Sequence, residues 1–483
     1  MTPLNRTKIV ATLGPASRGD ANIETLIRHG VDVFRLNAAH SDHRQLVRDI
    51  GAIRRVARRI HRAVGILVDL QGPKIRVGPL RDAEPIWLKR GQTLVLGTEP
   101  GLVGQAAPEG EPVRVGCSYV QLPRDVRPRE RILLDDGNLE VKVTRVVGRD
   151  VHTTVVYGGL LKQYKGINLP GSKLSVTSLS AKDLADLRVV LGVGADFIAL
   201  SFVRSADDIR RLKAEIRRAG SDAQVIAKIE RPEAVKVLPA ILAEADGLMV
   251  ARGDMGVELG PEAVPILQKR IIRMAIEACK PVITATQMLE SMVTNPRPTR
   301  AEASDVANAI YDGTSAVMLS AETASGKYPF QAVRVMEQII RRAEEDIFSR
   351  SESLRRRRIT GRNTSVTAAT IRAAAYAAME SGARLIAVFT ERGTSAEILA
   401  AERPATRMIA FTPFQRTVQR LTLSWGMRPI RSRRSRTSHE MTLEAERVLL
   451  EQGLARRGDR VVLIVGATRR MGMTNVMHIR TLE

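Results

Sequence analysis

The sequence predicts an α/β fold: a (β/α)₈ TIM barrel with a small all-β domain inserted in it and a second α/β domain at the C-terminal end. Three observations predict this architecture. From residue 7 to about 345, short β-branched runs alternate with longer amphipathic runs, which is typical of βα units and a parallel sheet. A Gly- and Pro-rich stretch interrupts the alternation once, and a basic polar stretch precedes a second set of alternating runs.

Eight apolar runs are candidate strands of the barrel. Eight parallel strands, each followed by a helix, are the number that closes a barrel of this kind. The predicted strands cover residues 8–13, 31–36, 65–69, 197–202, 224–229, 247–251, 281–285 and 316–319.

Amphipathic runs fill the gaps between these strands and predict the outer helices. A first helix ends near Arg28, and Asp20 or Asn22 is its candidate N-cap. The other predicted helices cover residues 41–63, 180–192, 205–219, 232–244, 261–280, 299–311 and 329–345.

The interruption between the third and fourth strands predicts an inserted β domain at residues 77–164. Its apolar segments are short, β-branched and separated by Gly and Pro, as at 93–96, 131–134 and 141–143. An exposed loop is the place where a chain tolerates a domain insertion. The barrel is therefore assigned to residues 1–76 and 165–345.

The remaining part, residues 346–483, predicts a C-terminal α/β domain with a regulatory role. A basic, polar stretch at 349–364 is typical of a linker. Strand-like runs follow at 385–389, 406–411 and 461–465, with helical stretches between them.

The overall charge raises nucleic-acid binding as a possibility that the rest of the composition disfavours. The chain carries 75 Lys and Arg against 52 Asp and Glu, a net charge of +23. Aromatic residues are only 3%, so there is little material for stacking bases, and we find no recognition-helix or zinc pattern. We expect no nucleic-acid partner and attribute the basic balance to abundant arginine.

The same composition favours a cytoplasmic protein that does not interact with membranes. No apolar run reaches the roughly 18 residues that cross a bilayer. The residues at the N-terminal end lack the apolar stretch of a secretory signal. Cys117 and Cys279 are the two cysteines and have no metal-ligand spacing, which fits a reducing compartment.

Polar side chains stand where nearly every predicted barrel strand ends. Active sites of such barrels lie at the carboxyl ends of the strands. In strand order, the residues at these positions are Arg35, Asn37, His40, Asp69, Gly72, Lys74, Arg76, Ser201, Arg204, Lys228, Glu230, Arg252, Gly253, Asp254, Thr286, Gln287, Ser320 and Glu322. The two glycines carry no side chain and mark places where the backbone can approach a ligand closely.

Two carboxylates at neighbouring strand ends, Glu230 and Asp254, predict a magnesium site. A few hard oxygen ligands beside a substrate phosphate suit Mg²⁺, whereas zinc prefers His and Cys clusters. Lys228 is two residues before Glu230, so both side chains point into the barrel. A lysine there neutralises charge on a phosphoryl group or an enolate; the simpler alternative is a plain Lys228–Glu230 ion pair.

Gly253 and Asp254 stand in the segment that joins the sixth strand to a helix predicted from about residue 261. Glycine allows a close backbone approach, and exposed N–H groups in such a loop bind a carboxylate or a phosphate. We therefore expect this loop to contact an anionic substrate.

Long, ordered blocks of sequence resemble the pyruvate kinases. The block around Arg252, Gly253 and Asp254 is one of the strongest, and the resemblance is weaker in the C-terminal domain. The blocks are TKIVATLGPAS (7–17), RLN (35–37), GPKIR (72–76), KGINLP (165–170), AKIE (227–230), MVARGDMG (249–256), ATQMLESM (285–292), PTRAE (298–302) and MLSAETA (318–324), followed by LSWG (423–426) and TN (474–475).

The resemblance implies the last step of glycolysis, in which phosphoenolpyruvate and ADP give pyruvate and ATP. It implies Mg²⁺ or Mn²⁺ on Glu230 and Asp254. It also implies an inserted domain that closes over the site, and a homotetramer. The residues that it implies for phosphoenolpyruvate are Arg35, Ser201, Lys228, Gly253, Asp254 and Thr286.

Further roles follow from the resemblance alone. Lys228 and Arg35 stabilise the transferring phosphoryl group, and Thr286 protonates the enolate with Ser320 and Glu322 behind it. The residues implied for the nucleotide are Asn37, His40, Arg76 and Lys165.

The monovalent-cation region departs from the pattern of K⁺-dependent family members. Asn37 and Asp69 remain, but Ala39 stands at a serine position and Lys74 stands where those members have glutamate. A lysine ammonium is a fixed monovalent cation, so we expect activity without K⁺. The alternative is that Lys74 is a surface lysine without a role.

A second departure concerns regulation. The family's Ser/Thr-rich phosphate loop corresponds here to Thr390, Gly393, Thr394 and Ser395, with Glu391 among them. The hydroxyls predict a phosphorylated effector, while the charge of Glu391 opposes a phosphate.

Two other functions compete with the kinase. One is a Mg²⁺-dependent barrel aldolase or lyase that acts on pyruvate-like substrates, which would not need the inserted or C-terminal domain. The other is a catalytically silent regulatory protein retained for its basic surface. Loss of Lys228, Glu230, Asp254 or Thr286 would favour the silent protein, and all four are present.

Overall fold

The computed structural model describes residues 5–108, 110–172, 174–354, 365–435, 437–466 and 474–483. The first part of the chain supplies three parallel strands and two helices. These elements are β1 (Lys8–Thr12), α1 (Asp20–Arg28), β2 (Val31–Asn37), α2 (His43–Arg59) and β3 (Gly65–Asp69).

The inserted segment follows β3 and is almost entirely β-structure. Its elements are β4 (Ile86–Leu88), β5 (Thr93–Gly97), β6 (Val113–Gly116), α3 (Leu122–Asp125), β7 (Arg131–Leu134), β8 (Leu139–Val147), β9 (Asp150–Tyr157), β10 (Gly159–Leu161) and β11 (Ile167–Asn168). Six of these strands form a sheet in the order β11-β7-β8-β9-β5-β6, and β10 pairs with β4. We call this segment the inserted domain. Arg76 and Gly166 pair across an isolated bridge at its stem.

The chain then completes the barrel. Its elements are α4 (Ala181–Gly192), β12 (Phe197–Leu200), α5 (Ala206–Arg218), β13 (Gln224–Ile229), α6 (Pro232–Lys236), α7 (Leu238–Glu244), β14 (Gly247–Ala251), α8 (Arg252–Leu259), α9 (Val264–Glu277), β15 (Val282–Ala285), α10 (Arg300–Tyr311), β16 (Ala316–Leu319), α11 (Ala321–Ala324) and α12 (Pro329–Leu354).

The C-terminal domain carries one five-stranded sheet in the order β19-β18-β17-β20-β21, in which only β21 runs antiparallel. Its elements are α13 (Val366–Glu380), β17 (Leu385–Phe389), α14 (Thr394–Ala401), β18 (Arg407–Thr412), α15 (Gln415–Arg420), β19 (Met427–Arg431), α16 (Ser438–Glu451), β20 (Arg460–Val465) and β21 (Val476–Thr481).

Eight parallel strands close the barrel in the order β1-β16-β15-β14-β13-β12-β3-β2, which confirms the predicted fold class. Inward-facing side chains such as Val10, Leu67 and Met249 fill its interior. Leu423 of the C-terminal domain joins this interior cluster. The barrel is therefore a packed core, and its chemistry is confined to the strand ends.

Several predicted boundaries were wrong for local reasons. The fourth strand ends at Leu200 because Phe202 adopts a left-handed backbone with φ +55°. The helix predicted at 232–244 is two helices, since Pro239 lacks the N–H that a continuous helix requires. Neither Asp20 nor Asn22 caps α1: Gly19 occupies the N-cap position and Asp20 is already helical.

Two loops predicted from sequence are helical. Residues Arg252–Leu259, expected to be a loop, form α8. The linker prediction at 349–364 was wrong for its first six residues, which continue α12 to Leu354, and 355–364 lie outside the described residues. None of the described helices has the combination of length and apolarity that crossing a bilayer requires.

Candidate active site at the barrel mouth

A buried carboxylate, Asp69, is the centre of the polar cluster at the carboxyl ends of β2, β3, β12 and β13. Arg35 donates from Nε to Asp69 Oδ2 at 2.9 Å, and Ser201 donates to Asp69 Oδ1 at 3.4 Å. Lys228 Nζ lies 3.4 Å from Asp69 Oδ1. Burial alone disfavours the charged carboxylate, but Lys228 and Arg35 lower the pKa of Asp69 below its ordinary value. Asp69 is therefore a fixed anion that orients two cations.

Lys228 is the cation with the most contacts in this cluster. Its Nζ donates to Ser201 Oγ at 2.7 Å and lies 2.9 Å from Glu230 Oε1, so the ion pair considered from the sequence is present. Burial disfavours the ammonium, yet Asp69, Glu230 and Asp254 raise the pKa of Lys228 above its ordinary value. The acceptors Asp69, Ser201 and Glu230 therefore favour the protonated form of Lys228 and hold it in place.

Glu230 is fully buried and is positioned by the backbone of Phe202, whose N–H donates to Oε2 at 2.8 Å. The other oxygen, Oε1, accepts no hydrogen bond from any described residue, although Lys228 makes an ion pair with it. Burial and the charge of Asp254 raise the pKa of Glu230 to about 7, against the opposing effect of Lys228.

These properties fit a divalent cation between Glu230 and Asp254. A cation there would relieve the repulsion between the two carboxylates, which contributes to the raised pKa of Glu230. Among the described residues, no group of three or more His, Cys, Asp or Glu side chains forms a metal site. Two protein carboxylates suit Mg²⁺, which keeps several waters and binds substrate phosphate oxygens.

The loop after β15 carries Thr286 in a strained conformation. Thr286 and Gln287 adopt φ +69° and +54°, which non-glycine residues rarely do. Arg252 holds this loop by donating to the carbonyl of Thr286 at 2.7 Å, and Asp305 binds Arg252 from the other side. Thr286 Oγ1 accepts the N–H of Gly253 at 2.8 Å. The Gly253 N–H that the sequence assigned to a substrate is therefore occupied by Thr286.

Glu322 joins the loops after β15 and β16. Its buried carboxylate accepts the N–H of Ser320 at 2.6 Å and the N–H of Leu289 at 3.1 Å. Among the described residues, no direct hydrogen bond joins Thr286 to Ser320 or Glu322. Thr286 follows β15, and Ser320 and Glu322 follow the neighbouring strand β16. The loops after these strands are joined by the hydrogen bond from the Leu289 N–H to the Glu322 carboxylate.

The predicted nucleotide residues lie on the β2 and β3 side of the mouth. Arg76 and Lys74 are cations beside His40 there, and we call these two residues the cationic group. Burial lowers the pKa of His40, and the charges of Arg76, Lys74 and Arg35 lower it further. Asn37 caps the short turn that carries His40 by accepting the N–H of Ala39.

One of these residues, Arg76, also links the barrel to the inserted domain, and Lys165 lies within that domain. Lys165 Nζ pairs with Asp135 of the inserted domain at 2.7 Å, and Arg76 donates to the carbonyl of Tyr164 at 2.9 Å. A cleft of about 1040 Å³ separates the inserted domain from α8 and reaches Gly253 and Gln287.

Lys74 belongs to the cationic group and not to the Asp69 cluster. The partners that the structure gives Asp69 are Arg35, Lys228 and Ser201. Lys74 instead lies beside Gly166, where a Cβ would be 3.8 Å from its Cε. The structure therefore shows no ion pair between Lys74 and Asp69, and the replacement of K⁺ by Lys74 stays a prediction.

The predicted effector loop runs into α14, whose first two residues are Thr394 and Ser395. The N–H of Gly393 donates to Thr390 Oγ1 at 2.9 Å, and Gly393 occupies the N-cap position with φ +100°. Ser395 is hydrogen-bonded to Thr474 at 2.7 Å. Glu391, expected to repel a phosphate, lies 3.6 Å from Arg434, which offsets part of its charge.

The sequence analysis missed four residues that support this site: Phe202, Asn168, Arg231 and Glu258. Arg231 directly follows Glu230, and Glu258 lies one helical turn after Asp254. That spacing was a usable signal for Glu258, because residues i and i+4 share a helix face. The backbone conformation of Phe202 has no comparable signal in the sequence.

Comparisons with known proteins agree along almost the whole chain. The family descriptions "Pyruvate kinase, barrel domain" and "Pyruvate kinase, alpha/beta domain" match residues 4–333 and 368–480. The chain is 42% identical over 479 residues to the pyruvate kinase of Corynebacterium efficiens, covering 99% of this chain and 98% of that protein. It is 43% identical over 482 residues to pyruvate kinase 2 of Synechocystis sp., covering 99% and 79%. A crystal structure of a pyruvate kinase from Cryptosporidium parvum superposes with a TM-score of 0.91 at 34% identity, covering 99% and 97%.

Proposed function

The chain belongs to the pyruvate kinase family and transfers the phosphoryl group of phosphoenolpyruvate to ADP, and we propose that Lys228, Glu230 and Asp254 carry this transfer with Mg²⁺. The observation that carries the assignment is the position of the Lys228 ammonium, within 3.4 Å of Asp69, Ser201 and Glu230 and with a side chain only 12% exposed. Such an arrangement stabilises negative charge that develops on a transferring phosphoryl group and on the enolate that leaves.

Phosphoenolpyruvate binds between β2 and α8 in this proposal. Arg35 and Lys228 face its phosphate, and Asp69 holds both cations in place without a change of geometry during the reaction. The first turn of α8 begins at Arg252, and the N–H groups of a first helical turn have no partner within the helix, so we assign this turn to the substrate carboxylate.

Mg²⁺, or Mn²⁺ in its place, would be held by Glu230 and Asp254. When bound, it neutralises charge on the phosphate oxygens and fixes their orientation. The N–H of Phe202 holds Glu230 Oε2, and Lys228 pairs with Oε1, so the carboxylate that would bind the cation is already oriented.

The reaction has two steps. In the first, a terminal phosphate oxygen of ADP forms a bond to the phosphorus of phosphoenolpyruvate, and the bridging P–O bond breaks to leave the enolate of pyruvate. In the second, C3 of the enolate takes a proton, and we assign its delivery to Thr286 with Ser320 and Glu322 behind it. Because among the described residues no direct hydrogen bond links Thr286 to Ser320, this delivery needs a water between them.

The nucleotide is assigned to the side of the mouth lined by Asn37, His40, Arg76 and Lys165. The charges of Arg76, Lys74 and Arg35 around His40 support this assignment, because such a positive field attracts a polyphosphate. Closure of the inserted domain would exclude water, which otherwise accepts the phosphoryl group in place of ADP.

We propose that K⁺ is dispensable. Lys74 replaces the glutamate of K⁺-dependent members, and Ala39 removes a serine ligand. The ammonium of Lys74 already contributes positive charge near His40 and Arg76, which supports a substitution of bound cation by fixed cation.

We assign a phosphorylated effector to Thr390, Gly393, Thr394 and Ser395 of the C-terminal domain. We also propose that the protein assembles as a homotetramer. The cap of α14 by Gly393 supports an anion at this helix end. We place the protein in the cytoplasm, where its glycolytic substrates are, with no nucleic-acid or membrane partner.

The test is a lactate-dehydrogenase-coupled assay with phosphoenolpyruvate, ADP and Mg²⁺. Lys228→Ala should lower kcat by roughly 10³-fold, since it removes the main charge that faces the phosphoryl group. The matched control is Lys213→Ala, whose lysine pairs with Asp246 on the outside of the barrel. Family membership removes the aldolase or lyase alternative. Absence of turnover in the wild type, with sugar phosphates and AMP added, would favour the silent regulatory protein.

A further inference from the structure

Glu258 is a buried carboxylate with partners on two other segments of the chain. It lies in α8, one turn after Asp254, and its side chain is 1% exposed. Arg231 Nη1 donates to Oε1 at 3.2 Å, and Asn168 Nδ2 donates to the same oxygen at 3.1 Å. Oε2 accepts no hydrogen bond from the described part of the chain.

These three residues connect the inserted domain to both segments that carry the metal carboxylates. Asn168 lies in β11, which pairs with β7 of the inserted domain in the register Asn168↔Leu133. Arg231 follows Glu230 directly, and Glu258 follows Asp254 by one turn. A small cavity between β11 and the barrel is lined by both Asp254 and Glu258.

The ion pair between Arg231 and Glu258 is not explained by a contribution to folding stability alone. Both side chains are nearly removed from solvent, and the desolvation of a buried pair often exceeds its Coulomb gain. Arg231 has further acceptors in Ser172 and Glu233, each at 3.4 Å. Loss of Glu258 would therefore leave the guanidinium free to shift toward these longer contacts.

We propose that Glu258 is a positioning residue that couples the position of the inserted domain to the geometry of Glu230 and Asp254. The inference rests on the proposed function of those two carboxylates as the Mg²⁺ ligands. When Asn168 binds Glu258, α8 and the residue after Glu230 are held together through Arg231. When the inserted domain moves away, Glu258 loses one of its two donors, and both metal-bearing segments lose a constraint.

Reciprocity follows from this coupling. If docking of Asn168 tightens the cation site, then the cation must favour the docked position of the inserted domain by the same free energy. The inserted domain is thereby closed preferentially over a metal-loaded site.

The test measures Mn²⁺ binding directly by electron paramagnetic resonance, without turnover. Glu258→Gln keeps the shape of the side chain and removes its charge, and Asn168→Ala removes the donor. We expect each to raise the Kd for Mn²⁺ by about 5-fold or more, within the usual range of coupling energies. The double variant should bind Mn²⁺ no more weakly than the weaker single variant, because both changes break one connection.

A matched control is Asp196→Asn. Asp196 is also a buried partner of an arginine, Arg54, at 2.5 Å, but it stands before β12 at the opposite end of the barrel. This variant should leave the Kd for Mn²⁺ unchanged. Arg231→Lys should retain more Mn²⁺ affinity than Arg231→Gln, since it preserves the charge that faces Glu258.

Hydrogen exchange supplies a second measurement. In the wild type, Mn²⁺ should increase protection of the backbone around residues 165–172, and this increase should be lost in Glu258→Gln. At saturating Mn²⁺, the KM for phosphoenolpyruvate should stay within about 2-fold of wild type, as expected for a residue that touches no substrate.

Unchanged Mn²⁺ affinity in both single variants would overturn the proposal, as would strictly additive losses in the double variant. If Glu258→Gln does not fold, Asn168→Ala decides alone, because its side chain is only partly buried. A wild type that binds Mn²⁺ and shows the coupling but does not turn over would refute the kinase function and leave this inference standing.

Discussion

Phe202 donates its backbone N–H to Glu230 Oε2 at 2.8 Å from a left-handed conformation with φ +55°. A bulky residue in this conformation costs on the order of 1–3 kcal/mol, and it persists only where the surroundings impose it. Gly72 leaves room for this arrangement, because a Cβ there would lie 2.9 Å from the ring of Phe202. A residue in a left-handed conformation thus orients a carboxylate at the proposed cation site.

Gly72→Ala should therefore weaken both stability and metal binding. The added methyl group collides with Phe202 and Ser201, and Gly72 itself has φ +67°. We expect a loss of roughly 1–3 kcal/mol in unfolding free energy and a several-fold higher Kd for Mn²⁺. The control is Gly51→Ala, in α2 with open space around it, which should stabilise by about 0.5–1 kcal/mol. A Gly72→Ala protein with wild-type Mn²⁺ affinity would show that Phe202 does not position Glu230.

Thr286→Ala should affect proton transfer. It removes the hydroxyl that accepts the N–H of Gly253 and that we assign to protonation of the enolate. Exchange of the C3 protons of pyruvate with D₂O, followed by NMR, should slow by about 10²-fold, as for loss of a general acid. Thr25→Ala, which alters an exposed hydroxyl in α1, is the control. A normal exchange rate would assign the proton to another group.

Lys74→Glu should make the enzyme dependent on K⁺. In the wild type, replacing Na⁺ by K⁺ should change kcat by less than about 2-fold, because the fixed ammonium supplies the charge. In the variant, a carboxylate stands in its place, and K⁺ should restore activity that Na⁺ or Tris does not. Lys142→Glu, an exposed change in β8, tests for a general effect of charge. A wild type strongly activated by K⁺ contradicts the prediction.

Glu397 should make stability depend on pH. It is half-buried on α14, with Gln224, Asp246, Lys280 and Arg420 nearby. Burial raises its pKa to about 7, from an ordinary value of 4.5. The folded state therefore holds this proton more tightly than the unfolded state does.

Because of this difference, stability should fall as pH rises from about 4.5 through 7 and level off above, by roughly 3 kcal/mol at most. Glu397→Gln should remove this part of the pH dependence and raise the Tm above pH 7. Calorimetry at pH 5.5 and 8 measures both, with the exposed Glu380→Gln as control. If the variant loses as much Tm between these pH values as the wild type, Glu397 is not the group responsible.

The effector loop makes a prediction that does not depend on turnover. Titration calorimetry with sugar phosphates and AMP should detect a ligand whose binding Thr394→Ala abolishes. Glu391→Gln should strengthen the same binding, since it removes a carboxylate that repels a phosphate and that Arg434 offsets only in part. Thr370→Ala, an exposed change in α13, should have no effect. Binding that survives Thr394→Ala would assign the effector to another part of the molecule.

Much of the architecture could be predicted from periodicity alone. All eight barrel strands were located, because strands buried on both faces form continuous apolar runs between amphipathic helices. The strands β19 and β21 were not predicted, since Met427–Arg431 and Val476–Thr481 contain arginines or histidine that obscure the pattern. Helix ends were misjudged where a single proline or a left-handed residue decided them.

The cluster at the barrel mouth could be predicted as a set of residues but not as a set of contacts. Arg35, Asp69, Ser201, Lys228 and Glu230 were assigned to one place because parallel strands end on one side of a barrel. The contacts Lys228–Ser201 and Phe202–Glu230 join residues 27 and 28 positions apart, and side-chain rotamers and backbone strain determine them. The placement of Lys74 away from Asp69 was likewise outside the reach of spacing arguments.

The sequence by itself determined the barrel, the presence of an insertion, the inventory of charged groups at the strand ends and the resemblance to pyruvate kinases. These depend on local periodicity and on the identity of short motifs, both of which are written in neighbouring residues. The tertiary structure alone decided that Asp69 holds two cations, that Gly253 binds Thr286, and that Glu258 joins Asn168 to Arg231. Such contacts depend on burial and on angles between distant segments, which arise only when the whole chain has packed.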